Sequence, residues 1–293
     1  MQASKGFKMY CDRFLPLEKA LEFSGDEVKI ESAVLQACSA EWKTLPRDMQ
    51  LNIIRAYDHE KERLKITIKA TKEIAAFRQT YNLNQFPPDF GEKERAEYDR
   101  CWPSRLAGTD AFGHVIMYDR IQAFSVERLL AMPLESLFRY RAQDFEALFY
   151  IKRDISNTFG HRVSKHVYIL DLAGLEMKHF TSRFKQVLQP VLSMSSNMFP
   201  ETLWSLWLIN APSTFRLVWT VVRSMLDPVV RAKVRMFGSR SKWVAAMQEV
   251  GISEPSLPAE LGGMTKSESF LDVFQRFQTT VVLAKVEVKE TAG

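Results

Sequence analysis

The stretch from Val167 to Gly238 constrains the fold of this chain most strongly. It alternates short apolar runs with helical segments, in the order His166–Leu172, Lys178–Ser195, Leu203–Ile209, Ser213–Leu226 and Val234–Phe237. Strand, helix, strand, helix, strand is typical of a parallel or mixed sheet whose strands are joined by crossover helices. The sequence therefore predicts an α/β fold.

The segment Ser213–Leu226 differs from an ordinary surface helix. Most of its residues are apolar, and its polar residues form one narrow stripe at helical spacing: Arg216, Thr220, Arg223 and Asp227. A surface helix usually shows the reverse, an apolar stripe on a polar body. Two interpretations remain open, a helix inside the core or a lid over an apolar cavity.

Several short blocks between Trp102 and Gly263 carry a family resemblance when they are taken in order. The blocks are Ile169–Gly174, Asn197–Glu201, Leu208–Pro212, Leu226–Pro228, Lys233-Val234 and Leu257–Gly263. Their spacing resembles that of the CRAL-TRIO lipid-binding family, especially its phosphatidylinositol-transfer branch. The resemblance implies an α/β lipid-binding domain, with a mixed or parallel sheet, crossover helices and an apolar gate helix over a lipid cavity.

The region before this domain is predicted to be helical. Amphipathic patterns cover Asp26–Trp42, Pro46–Tyr57 and Glu60–Tyr81, and a proline pair, Pro87-Pro88, then marks a linker. The region resembles the small all-helical N-terminal module of the family, although Asp58-His59-Glu60 stands where several basic residues are usual. We expect the module at 1–100, the lipid-binding domain at 101–265, and a C-terminal helix and tail at 266–293, where Val281–Val288 alternates.

A hairpin is expected at the start of the lipid-binding domain, with a turn at Gly108–Gly113 and a strand at His114–Ile121. The turn has the glycine spacing of a phosphate-binding P-loop. However, His114 stands where the lysine of that motif must reach the phosphates. A nucleotide site is therefore not predicted.

Composition limits the classes of protein that the chain can represent. Its 293 residues, 46% of them hydrophobic, can bury a large core. A net charge of +5 suits docking on an anionic membrane surface, and no Lys/Arg cluster indicates nucleic-acid binding. Cys11, Cys38 and Cys101 form no CxxC pair, which favours reduced thiols, a cytoplasmic setting and no structural zinc. Without a signal peptide or an apolar window long enough to span a bilayer, we expect only transient, peripheral membrane contact, by a monomer.

The sequence does not suggest an enzyme. It contains no HExxH, GxSxG or GxGxxG motif and no Cys/His pair at metal-ligand spacing. Asp171 follows a predicted strand, at the sheet edge where catalytic carboxylates can lie. We expect it instead to accept backbone hydrogen bonds in the following turn. No catalytic residue, metal or cofactor is therefore predicted.

The resemblance implies a headgroup site for an inositol phospholipid. In the inositide-binding branch, a Glu follows a Phe/Tyr-Pro pair and a Lys follows the Leu-Asp-Pro turn, and Glu201 and Lys233 hold these positions. A lysine suits the phosphate and a carboxylate suits the inositol hydroxyls. Arg55 is expected to join them from the N-terminal module.

The resemblance also implies the residues of the gate and of the cavity. One face of the helix Ser213–Leu226 is expected to face the cavity or, when the helix opens, the bilayer; this face is formed by Phe215, Val218, Trp219, Val222 and Met225. The positions that bind choline lipids in this branch are changed, because His166 and Tyr168 replace small hydroxyl residues and Val230 replaces a threonine. Met117 occupies the usual tyrosine position, with Tyr118 beside it. Binding of a choline lipid is thus left open, and a different second ligand is plausible.

The leading hypothesis is a cytoplasmic protein that binds phosphatidylinositol or another phospholipid and exchanges single lipid molecules between membranes. Two alternatives remain. One is a carrier of a small apolar ligand, such as a retinoid, tocopherol or squalene-like molecule. The other is a scaffold or regulatory module that docks a GTPase or a membrane and has a vestigial pocket.

Overall fold

The computed structural model describes residues 17–88, 91–176 and 181–279. The chain begins with a group of helices packed on one another, namely α1 (Leu17–Ala20), α2 (Gly25–Thr44), α3 (Arg47–Ala56) and α4 (Arg63–Thr80). At the start of α2, the backbone N–H of Ser24 donates to the Glu27 carboxylate (3.0 Å), which satisfies one helix-terminal donor. The predicted helical N-terminal region is confirmed, with ends within a few residues of those expected.

A mixed sheet forms the centre of the molecule. Its strands are β1 (Arg105–Thr109), β2 (Val115–Arg120), β3 (His166–Asp171), β4 (Leu203–Ile209), β5 (Val234–Met236) and β6 (Glu268–Ser269). Their spatial order is β5-β4-β3-β2-β1-β6, with β2 to β5 parallel and β1 antiparallel to both of its neighbours. The predicted hairpin corresponds to β1 and β2, and Gly113 in its turn has a φ of 86°, which a glycine adopts without strain.

The later helices cover the two faces of this sheet. They are α5 (Glu92–Cys101), α6 (Val126–Ala131), α7 (Leu134–Phe159), α8 (Ser182–Asn197), α9 (Phe215–Met225), α10 (Pro228–Ala232), α11 (Arg240–Glu249) and α12 (270–279). Successive strand residues point to opposite faces. Val167 and Ile169 pack with Trp243 of α11, whereas Tyr168 and Leu170 face α9.

The N-terminal helices and the sheet domain share one apolar core. A single cluster of buried residues includes Trp42 of α2, Ile53 of α3 and Ile74 of α4, together with Met117 of β2 and Phe145 of α7. The core is thus continuous across the expected boundary near residue 100. The division into separate domains stays a prediction.

Some element boundaries differ from those expected. The helix predicted from Lys178 is described from Ser182, where the Thr181 side chain accepts a hydrogen bond from the Phe184 N–H (3.1 Å). The C-terminal segment expected to form a helix and tail at 266–293 first adds strand β6, because Glu268 and Ser269 pair with β1. The alternating segment Val281–Val288 lies outside the described residues. Among the helices that are described, none combines the length and apolar character needed to cross a bilayer.

Candidate functional site

A cavity lies between the sheet and helices α8 and α9. The centre of a water-sized sphere can occupy about 270 Å³ of it, and the space between its walls totals about 1880 Å³ when the open mouth is counted. Alternate residues of β3 and β4 form its floor, among them Tyr168, Leu170, Leu206 and Leu208. The walls are mostly apolar, so the cavity suits a ligand with extended hydrocarbon.

Helix α9 covers this cavity with one apolar face. Phe215, Trp219 and Val222 line it at helical spacing, and Leu226 continues the row at the end of the helix. The polar stripe expected on the opposite side is exposed: Arg216, Thr220, Arg223 and Asp227. Of the two interpretations left open by the sequence, the structure agrees with a lid over a cavity.

Two residues expected on the cavity face of α9 lie elsewhere. Val218 is buried but packs with Leu172 and Leu208 beside the cavity, and it does not line it. Met225 is half-buried and is also absent from the lining. Of the five residues expected on this face, the structure brings Phe215, Trp219 and Val222 to the cavity, and a bilayer-facing role for Val218 and Met225 stays a prediction.

The sequence around α9 favours defined ends. Pro212 precedes the helix, and Asp227-Pro228 follows it. The Asp227 carboxylate accepts a hydrogen bond from the Val229 N–H (2.8 Å) and so begins α10. A proline disfavours the helical conformation of the residue that precedes it. Pro212 and Pro228 therefore separate the two ends of α9 from the neighbouring elements.

An acid–base cluster lies at one end of the cavity and contains both residues of the expected headgroup pair. The Glu201 Oε1 is 3.8 Å from the Lys233 Nζ, and the Glu201 Oε2 is 2.5 Å from the Lys165 Nζ. Lys233 also donates to the carbonyl of Leu203 (3.0 Å). Burial lowers the pKa of the Lys233 ammonium from its usual value, and the charge of Glu201 opposes this effect. The cluster therefore combines one carboxylate with two lysines.

Lys165 was missed by the sequence reasoning. It immediately precedes β3, and His166 of that strand is paired in register with Leu203 of β4. This parallel pairing places Lys165 beside Glu201, which comes shortly before β4. The strand register could have located it.

Arg55 lies outside this cluster, contrary to expectation. Its guanidinium donates to the Glu27 carboxylate, with Nε 2.7 Å from Oε1 and Nη2 3.2 Å from Oε2, and thereby joins α3 to α2. The N-terminal module instead reaches the cavity through the residues that follow α3, including Tyr57, His59 and Glu60. Arg55, which the resemblance implied as a headgroup ligand, is therefore already paired with the carboxylate of Glu27.

His166, Tyr168 and Arg141 form a polar patch on the cavity wall. The Tyr168 hydroxyl donates to the Asp119 Oδ2 at 2.5 Å, and the Trp102 Nε1 donates to the same oxygen at 2.8 Å. The Arg141 Nη2 is 3.9 Å from that oxygen. Burial and then the Asp119 charge raise the pKa of Tyr168 well above its usual value, so the hydroxyl stays protonated at neutral pH.

His166 is neutral in this environment. Burial lowers the pKa of its imidazole well below the usual value, and the positive charges of Lys152 and Arg141 act in the same direction. Its Nδ1 has no hydrogen-bond partner among the described residues. The position that carries a small hydroxyl in the family branch therefore presents an uncharged, partly unsatisfied ring here.

The other expected cavity residues divide between lining and support. Val230 lines the cavity. Met117 is buried behind it, in the core with Phe145, and Tyr118 points to the opposite face of the sheet with Ile116. Tyr118 was therefore wrongly expected in the cavity, because adjacent strand residues face opposite sides.

Asp171 has the structural role expected from the sequence. One of its carboxylate oxygens accepts hydrogen bonds from the Ala173 N–H (3.0 Å) and from the Asn210 amide (2.8 Å). These bonds connect the ends of β3 and β4. Within the described ranges, no group of three or more His, Cys, Asp and Glu side chains is arranged to hold a metal ion.

The fold and the cavity correspond to a known class. The family model described as "CRAL/TRIO domain" matches residues 100–263, more than half of the chain, which therefore belongs to this family. Solved structures agree on the fold: the crystal structure of Sfh5 superposes with a TM-score of 0.57 at 14% identity, covering 75% of this chain and 83% of that one. The family resemblance and the α/β fold class inferred from the sequence are confirmed.

Curated relatives come from plants and yeast. The chain is 29% identical over 207 residues to the phosphatidylinositol/phosphatidylcholine transfer protein SFH14 of Arabidopsis thaliana, covering 70% of this chain and 35% of the relative. It is 25% identical over 196 residues to the SEC14 cytosolic factor of Yarrowia lipolytica, covering 66% and 39%. The chain thus spans somewhat more than a third of the length of these relatives.

Proposed function

We propose that this chain binds one phospholipid molecule at a time and exchanges it between membranes, with phosphatidylinositol as the preferred lipid. The carrying observation is an apolar cavity that is covered by a helix and has an acid–base cluster at one end. The names of the relatives, which include phosphatidylinositol/phosphatidylcholine transfer proteins, support the same function. The process requires no covalent chemistry.

An apolar cavity can shield the acyl chains of a lipid from water during transfer. Exposing an acyl methylene to water costs about 0.8 kcal/mol, so two chains with roughly thirty methylenes would cost more than about 20 kcal/mol. A carrier must keep these chains dry and release them only at a bilayer. In our proposal, α9 opens at the membrane through the proline-flanked segments at its two ends.

The acid–base cluster provides groups for the headgroup. The ammonium groups of Lys165 and Lys233 suit a phosphate, and Glu201 can accept hydrogen bonds from inositol hydroxyls. In the absence of a ligand the Glu201 carboxylate compensates one of the two lysine charges. An incoming phosphate would compete with Glu201 for the lysines and free the carboxylate for the hydroxyls.

Membrane docking is proposed for the outer face of α9 and for α10. Leu217 is 70% exposed and Val229 is 38% exposed, and α9 also carries the exposed Arg216 and Arg223. Apolar side chains among arginines suit an anionic bilayer surface. A cytoplasmic setting and a monomeric state are part of the same proposal.

A small apolar ligand with a polar group is the second candidate. It is favoured by the polar patch of His166, Tyr168 and Arg141, in which His166 and Tyr168 replace the small hydroxyl residues expected for a choline lipid. Such a ligand would use this patch and would not need the lysines. The two candidates therefore differ in their dependence on Lys233.

The test compares transfer of labelled phosphatidylinositol with that of labelled diacylglycerol, which has the same acyl chains but no phosphate. Lys233→Met should reduce phosphatidylinositol transfer about ten- to a hundredfold, because it removes a charge-assisted contact. Diacylglycerol transfer should hardly change. Lys69→Met, an exposed lysine on α4, is the matched control and should leave both rates unchanged.

Two outcomes would count against the proposed headgroup site. If Lys233→Met slows both lipids equally, Lys233 supports the fold and not the headgroup. If it slows neither, the inositide assignment is wrong and the small apolar ligand becomes the better candidate.

A further inference from the structure

A second cavity lies where the N-terminal helices meet the end of α7, and we refer to it as the junction cavity. The centre of a water-sized sphere can occupy about 410 Å³ of it. Its walls come from α1, α3, the C-terminal half of α7 and the segment before β3. It shares no lining residue with the cavity under α9.

The junction cavity carries an excess of positive charge. Among the described residues, four cationic side chains line it and Asp48 is the one carboxylate in the lining; the cations are Arg47, Lys152, Arg153 and Arg162. Arg162 pairs with Asp48 (2.8 Å), and Arg47 pairs with Glu31 (3.0 Å). Lys152 and Arg153 have no carboxylate within ion-pair distance in the described part of the chain.

Lys152 is buried, and within the described part of the chain its ammonium has one hydrogen-bond acceptor. Lys152 is only 2% exposed. Its Nζ donates to the Ser164 carbonyl (3.0 Å) and lies 4.9 Å from the centre of the Phe149 ring. An ammonium has three N–H donors, and a buried charge without a counter-charge is costly. The site therefore lacks acceptors for at least part of this group.

Asn52 adds a second unsatisfied donor to the same cavity. It is 1% exposed, and its Oδ1 accepts a hydrogen bond from the Arg162 Nη2 (2.7 Å). Its Nδ2 is buried and has no hydrogen-bond partner within residues 17–88, 91–176 and 181–279. The exposed Arg153, whose guanidinium stacks on Tyr150 (4.9 Å), lies at the rim.

We propose that the junction cavity binds a phosphate-type anion, held by the ammonium of Lys152, the amide of Asn52 and the guanidinium of Arg153. A phosphate group offers more acceptor oxygens than a carboxylate, which suits a cavity lined by three separate donor side chains. The anion would supply the charge and the acceptors that the cavity lacks. The proposal does not depend on lipid binding under α9.

The decisive variant is Asn52→Asp. The aspartate keeps an oxygen for Arg162 but replaces the amide donor with a negative charge that repels an anion. The unfolding temperature is measured while inorganic phosphate is titrated against chloride at constant ionic strength. We expect phosphate to raise the unfolding temperature of the wild type in a saturable way. The dissociation constant for phosphate should be at least about tenfold higher for Asn52→Asp. Lys69→Met should behave like the wild type.

Lys152→Gln provides an independent check, particularly if Asn52→Asp fails to fold. It should also weaken phosphate binding by about tenfold or more. The proposal is overturned if phosphate gives no saturable stabilisation of the wild type. It is equally overturned if the folded variants bind phosphate as tightly as the wild type does.

The source of the phosphate is resolved by two further ligands. Phosphatidylcholine vesicles with and without a phosphatidylinositol phosphate are compared with a soluble inositol phosphate. A lipid headgroup is indicated if wild type binds the phosphoinositide vesicles more tightly than Asn52→Asp does. A free phosphate compound is indicated if the variant weakens binding of the soluble compound only.

Discussion

Lys152 lies on α7 among both positive and negative side chains. Burial is the largest effect on its ammonium and lowers its pKa to about 7, and the charge of Arg162 acts in the same direction. Asp48 and Glu146 oppose these effects, whereas Lys165 adds to them. At neutral pH the group is therefore close to the middle of its titration, unlike an ordinary lysine.

This shifted pKa predicts a dependence of stability on pH. Between pH about 7 and the usual lysine value of 10.5, the unfolded chain keeps a proton that the folded chain has lost. Stability therefore rises with pH across this window. We expect the free energy of unfolding of the wild type to rise relative to that of Lys152→Met, by up to about 1 kcal/mol per pH unit.

The measurement is denaturant unfolding at several pH values in buffers without phosphate. Lys69→Met should run parallel to the wild type, because Lys69 is exposed on α4. A difference between wild type and Lys152→Met that does not vary with pH would contradict the buried, shifted lysine.

At the scale of elements, α9 is the part of the fold that should move. Trp219 lies in the middle of its cavity face, and the neighbouring lining residues on the helix are Phe215 and Val222. A charge at this position would oppose contact with acyl chains and with the bilayer interior. We expect Trp219→Glu to fold but to lose nearly all vesicle-to-vesicle lipid transfer.

Trp219→Phe is the matched control for this prediction, since it keeps an apolar ring on the same face. Its transfer rate should remain near that of the wild type. Normal transfer by a folded Trp219→Glu variant would show that α9 is not the gate.

The elements were predictable where the local pattern was strong. The strand Leu203–Ile209 was predicted with the bounds that the structure has, and α9 lies within the predicted apolar segment. The cluster around Glu201 was predictable in part, because the resemblance pointed to Glu201 and Lys233. The position of Lys165 beside Glu201 depends on the register between β3 and β4, which cannot be read from a single sequence.

The polar groups that depend on tertiary packing could not be predicted. Arg141 is a buried arginine on the inner side of α7, and a helical pattern alone gives no reason to place it beside Asp119. Likewise, the pairing of Arg55 with Glu27 depends on how α2 and α3 pack together. In both cases the partner lies far away in the sequence.

At the scale of the whole molecule, a buried ion pair joins the N-terminal helices to the sheet domain. Arg78 of α4 donates two hydrogen bonds to Glu146 of α7, at 2.6 and 2.9 Å, and both side chains are buried. Removing one partner of such a pair leaves an uncompensated charge in the interior. The pair therefore makes the stability of the two regions interdependent.

We expect Glu146→Ala to lower the free energy of unfolding by about 3–5 kcal/mol. The double variant Arg78→Met with Glu146→Met should lose much less than Arg78→Met and Glu146→Met lose in sum, because no charge is left unpaired. Chemical denaturation monitored by tryptophan fluorescence measures the free energy of unfolding of the wild type and of the four variants. Additive losses would contradict a direct coupling between the two regions.

The central claim is that the chain carries one phospholipid molecule beneath α9. The most direct measurement is native mass spectrometry of the protein after incubation with vesicles of phosphatidylinositol and phosphatidylcholine and removal of the vesicles. We predict a complex with a single bound phospholipid, in which phosphatidylinositol is enriched over its share in the vesicles. A protein that emerges without lipid, or that retains a small apolar molecule in place of a phospholipid, would contradict the claim.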